Sequence, residues 1–75
     1  MVRREHLINA IRQKQFHFKR QADRVELYKQ AGSTKRVEIP RRDLIDPAHA
    51  AFILRQAGYT DDEVRKFLAE CDQKH

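Results

Sequence analysis

Seventy-five residues, with sixteen Lys and Arg against eleven Asp and Glu and a net charge of +5, make one domain at most, with a modest core and no room for a deep multi-layer active site. The single cysteine, Cys71, excludes an internal disulfide framework and a cysteine-based zinc cluster within one chain, while the positive balance favours anionic partners. The longest apolar run, from Ala48 to Leu54, is interrupted by His49 and too short to span a bilayer, and the charged start MVRREHLINA lacks the apolar stretch of a signal peptide, so a soluble cytoplasmic protein is expected.

From Arg4 to Lys14, Leu7, Ile8 and Ile11 recur at helical spacing, which predicts a short amphipathic helix. Beyond Lys14 the period shortens to two. Phe16 and Phe18 alternate with His17 and Lys19, Val25 and Leu27 with Arg24, Glu26 and Tyr28, and Val37 and Ile39 with Arg36 and Glu38, the signature of three strands. The breaks between them are QAD and QAGST, the second with Gly32 for a turn that needs positive φ. Strands this close pair as an antiparallel meander, with Phe16, Phe18, Val25, Leu27, Val37 and Ile39 expected inward. His17, Lys19, Arg24, Glu26, Tyr28, Arg36 and Glu38 are then expected to face solvent.

Pro40 ends the third strand, because it has no ladder donor to give. Asp46 is placed to cap a helix opening at Pro47 and running to Ala57, with Ala50, Ile53, Leu54 and Ala57 on its buried side and Gly58 as its stop. Thr60 and Glu63 form a capping box for a last helix, whose stripe of Val64, Phe67, Leu68 and Cys71 is expected to supply a large share of the core. With no repeat, low-complexity segment or linker, residues 1–75 read as a single α+β domain. The order is α-β-β-β-α-α, a three-stranded antiparallel sheet with helices on one face.

The charge is unevenly spread. Residues 1–42 hold twelve Lys and Arg and four Asp and Glu, whereas residues 43–75 hold four and seven. Lys19, Arg20, Arg24, Lys29, Lys35, Arg36, Arg41 and Arg42 cluster around strand ends and turns, a set suited to phosphate contacts, since duplex RNA is read mainly by shape and backbone. The alternative for such a set is a solvated surface. His17 is the histidine of the strand region, and an imidazole there is a candidate acid or base for ribose 2′-OH attack on the adjacent phosphate, with Lys19 or Arg20 stabilising the developing charge; a half-exposed strand histidine is the alternative. His6 and His49 have no Asp or Glu at a pairing or ligating distance in sequence and read as packing or surface positions. No His/Cys set or carboxylate pair has metal-ligand spacing.

The segment VEIPRRDLIDPAHAAFILRQAGYTDDEVRKFL, with the helix and hairpin before it, resembles the HicA toxin family of bacterial toxin–antitoxin modules. The most specific pieces are the Pro40 junction and ILRQAG at residues 53–58. The resemblance implies a dsRBD-like fold and a small ribonuclease that cleaves messenger RNA without metal or other cofactor and is restrained by a HicB-like antitoxin protein. The family's Gly-Ser-His motif falls on Asp23, Arg24 and Val25, and Arg41 and Arg42 follow Pro40 where a second histidine often stands. The usual catalytic histidine is therefore missing. A reading from another class is a non-catalytic protein-interaction module whose cations meet an acidic partner.

Overall fold

The computed structural model describes residues 1–73. In chain order it contains β1 (Val2–Arg3), α1 (Arg4–Arg12), β2 (Phe16–Ala22), β3 (Val25–Gln30), β4 (Arg36–Pro40), β5 (Leu44–Ile45), α2 (Pro47–Gln56) and α3 (Asp61–Gln73). The fold is α+β: β2, β3 and β4 form an antiparallel sheet in that order, and the three helices accompany it in the expected α-β-β-β-α-α layout. Strands β1 and β5, each of two residues, pair separately, Val2 with Ile45 and Arg3 with Leu44. Elements so short carry no periodicity, yet Val2 and Ile45 are both fully buried. They close the core at the start of α1, helped by the Arg4 N–H donating to the Asp43 carbonyl at 2.9 Å.

The core joins Leu7 and Ile11 of α1, Phe16, Tyr28, Val37 and Ile39 of the sheet, Ala50, Ile53 and Leu54 of α2 and Val64 of α3. Among the described side chains of α3 only Val64 is fully buried; Phe67, Leu68 and Cys71 are half-buried against the cluster. The last helix thus supplies less of the core than its stripe suggested.

Helix ends follow local hydrogen-bond chemistry closely. The Asp46 carboxylate accepts the Ala48 N–H at 3.0 Å with Pro47 as the first helical residue, as expected for a cap. At the other end of α2, Gly58 takes φ +106°, and the N–H groups of Gly58 and Tyr59 donate to the carbonyls of Arg55 and Leu54, each at 3.0 Å. This paired closure satisfies two carbonyls and needs a left-handed residue. One residue later the capping box forms, with Thr60 N–H donating to Glu63 Oε1 at 2.9 Å and Glu63 N–H to Thr60 Oγ1 at 3.2 Å. Replacing Thr60 with alanine is expected to cost about 1 kcal/mol, a drop of roughly 4–8 °C in melting midpoint for a domain of this size.

The Thr60 backbone N–H first, and its side chain second, hold the Glu63 carboxyl below its ordinary 4.5. A depressed carboxyl stabilises the fold above its unfolded value and loses that contribution as pH falls through the folded one. The melting difference between wild type and Glu63→Gln is accordingly expected to be full at neutral pH and to close as the solution is acidified below the ordinary value.

The sheet departs from the expected facing in β3. Tyr28 lies opposite Val37 and Phe18, and Glu26 opposite Ile39, so Tyr28 and Glu26 face the helices, whereas Val25 and Leu27 face away. The phase is set from both sides. The two-residue turn Asp23–Arg24 fixes Ala22 opposite Val25, and β4 must turn Val37 and Ile39 into the core. Leu27 is 8% exposed yet outside the core cluster; it lies between Arg20 and Glu38, long side chains whose stems shield apolar surface. Phe18 faces the helical side as expected, but the helices do not cover it. It is 55% exposed and meets Tyr28 edge-on at 5.8 Å between ring centres.

A carboxylate on the inner face requires a partner, and Arg4 provides it. Its guanidinium bonds Glu26 Oε1 and donates through Nε to the Pro40 carbonyl at 3.2 Å, while the Tyr28 hydroxyl donates to the same Glu26 oxygen at 3.3 Å. Burial, then the neighbouring Glu26 charge, push the Tyr28 phenol above its ordinary value, so it stays a donor. Arg4→Ala is expected to cost about 1–3 kcal/mol, because it leaves Glu26 half-buried without its cation. Arg4→Met/Glu26→Met together should recover much of that loss in thermal melts.

Candidate nucleic-acid interface

With the helices on one face, the other face of the β2–β3–β4 sheet is open, and the register lays it out in rows. His17, Lys29 and Arg36 stand opposite one another across the three strands. The next row is Arg20, Leu27 and Glu38, and the last, beside the β2–β3 turn, is Ala22, Val25 and Pro40. Between the first two rows β2 carries a bulge. Pairing steps from Phe18–Tyr28 to Arg20–Leu27, so two residues, Lys19 and Arg20, share one partner. In an unbulged β2, with Lys19 opposite Leu27, Arg20 would fall on the helical side; the bulge places Arg20 with His17, Lys29 and Arg36 on the open one.

The eight cations expected to contact RNA are all exposed, and among the described residues none of them makes an ion pair; the pairs formed are Arg3–Glu5, Arg4–Glu26, Arg55–Asp61 and Arg65–Asp62. The structure divides them between places. Lys19, Arg20, Lys29 and Arg36 belong to the open face. Arg24, Arg41 and Arg42 line a groove of about 740 Å³ at the turn end of the sheet, together with His49 at the start of α2. Lys35 immediately precedes β4, its carbonyl accepting from Gln30 at 3.0 Å and its N–H donating to Ser33 Oγ at 3.0 Å.

His17 is exposed, as its alternation suggested, but its neighbours differ from the expected ones. It lies across from Lys29, whereas Tyr28 is on the opposite side of the sheet. Tyr28 is therefore not available to stack on a base at this face. His49 is exposed rather than packed. It shares the groove with the three arginines, which come from two loops, and only the Arg-Arg pair after Pro40 hinted at this in sequence. Among the described residues no group of three or more His, Cys, Asp or Glu side chains is placed to hold a metal ion, and no helix is long and apolar enough to cross a membrane.

Compared with protein-family models, curated proteins and solved structures, the chain matches none of them.

Proposed function

We propose that the protein binds RNA through the open face of its sheet, as a HicA-like member of a toxin–antitoxin pair. The observation that carries this reading is the His17–Lys29–Arg36 row beside the Lys19–Arg20 bulge, four exposed cations and an imidazole held on paired strands. Spacing between neighbouring strands is about 5 Å, so the long side chains of the row can reach neighbouring phosphates of one backbone. Such contacts position RNA without reading its bases, and affinity should be similar across sequences and fall steeply with salt. Fluorescence anisotropy with two unrelated RNAs at several salt concentrations tests this. Salt-insensitive binding, or none, would return the cations to the role of an acidic protein's docking surface.

The HicA-like pattern also supplies the partner, a HicB-like antitoxin whose carboxylates would cover the same cations. Cleavage rests on His17 in this reading. Its imidazole takes the proton of a ribose 2′-OH, the freed oxygen attacks the adjacent phosphorus, and the bond to the 5′ oxygen breaks as that oxygen is protonated from solvent, leaving a 2′,3′-cyclic phosphate. Lys29 and Arg36 neutralise the phosphate during the step. The expected result is slow cleavage in EDTA that His17→Ala abolishes with folding intact. Intact RNA from about pH 5 to 9 would leave a binding-only protein.

A further inference from the structure

We propose that the groove at the turn end of the sheet is a separate pocket for one nucleotide, which takes a single phosphate on its arginines and a base on its apolar wall. Its volume of about 740 Å³ lies within the range of small-molecule sites. Arg24 stands on the two-residue β2–β3 turn, and Arg41 and Arg42 follow β4. The two cationic walls are tied together, since the Arg41 N–H donates to the Arg24 carbonyl at 3.1 Å. Arg24 holds φ +63°, a conformation that few residues other than glycine adopt, and it presents an exposed guanidinium at the rim. Planar guanidinium groups suit a phosphate by paired hydrogen bonds.

The lining also has an apolar part. Met1 and Leu44, both among its lining residues, are 52% and 48% exposed. Arginines and open apolar side chains in one groove fit a ligand with an anion at one end and a flat ring at the other. Two carboxylates also line the groove, Asp23 and Asp46. Asp46 is already engaged as the cap of α2, and Asp23 is an acceptor suited to ribose hydroxyls. Three arginines against two carboxylates favour one phosphate over a chain of three, whose added charge would meet both acids.

This site lies away from the His17–Lys29–Arg36 row and stands whether or not that row binds RNA. Adenosine 5′-monophosphate, titrated into the whole protein and followed by amide NMR shifts, is the probe, with adenosine and inorganic phosphate as separate arms. The expected result is saturable shifts at residues 21–24, 41–46 and 49, weaker with either fragment alone. Arg24→Gln/Arg41→Gln, checked for an unchanged fold by its remaining resonances, should weaken the nucleotide on the order of tenfold. Shifts confined to the His17 row, equal binding of inorganic phosphate and nucleotide, or unchanged affinity in the double variant would each overturn the proposal.

Discussion

Phe16→Ala is expected to lower stability by about 3–5 kcal/mol, a large part of the total for a small domain, and to shift the thermal midpoint down by more than about 12 °C. Phe16 is completely buried where the edge strand β2 meets α1, and it belongs to the same cluster as Leu7, Ile11 and Tyr28. The turn before it is already committed. Gln15 takes φ +70°, its carbonyl accepts the Ala31 N–H at 2.9 Å, and the Gln30 side chain donates to the Lys14 carbonyl at 2.9 Å. With the backbone pinned on both sides, the site has little freedom to collapse onto the space left behind. Phe67→Ala makes the comparison, because that ring is only half-buried and its loss should cost clearly less. Equal midpoints for the two variants would mean that α3, rather than the sheet, anchors the core.

The second large effect is on binding. Lys29→Gln/Arg36→Gln removes two adjacent cations from one row, and the dependence of log affinity on log salt should become shallower by about 1.4 for single-stranded RNA, at roughly 0.7 per phosphate neutralised. Arg36 and Arg41 make a poorer pair for this purpose, since the structure puts one on the open face and the other in the groove. The variant should lose affinity for unrelated RNAs to the same extent. A slope equal to that of the wild type would show that the row lies outside the RNA path.

What was legible in the sequence is what is decided locally. Asp46, Gly58, Thr60 and Glu63 work through hydrogen bonds spanning one helical turn or less, and each lies where its residue type indicates. The facing of β3 was not legible, because VELY supports either phase: Val25 and Leu27 are apolar on one, and Tyr28 is amphipathic on the other. The choice is settled by the β4 register and by Arg4, twenty-two positions from the carboxylate it pairs with. The cations of the open face could be named from composition, yet their placement depended on a bulge that leaves no mark in the hydrophobic period. The groove needed tertiary structure, since its walls come from the N-terminus, two loops and the start of α2.

The bulge has a further effect on how molecules of this protein meet one another. Strand β2 is an outer strand of its sheet, and an outer strand with regular, unpaired backbone groups is a template on which another chain can add. The displaced Lys19 interrupts that template and sets two neighbouring positive charges along it, while on the far side β4 terminates at Pro40, which has no N–H to offer. Deleting Lys19 would straighten β2 while leaving Arg20 opposite Leu27 on the open face, and the outcome to look for is self-association in sedimentation measurements, because the residue that spoils the ladder also keeps copies of the chain apart.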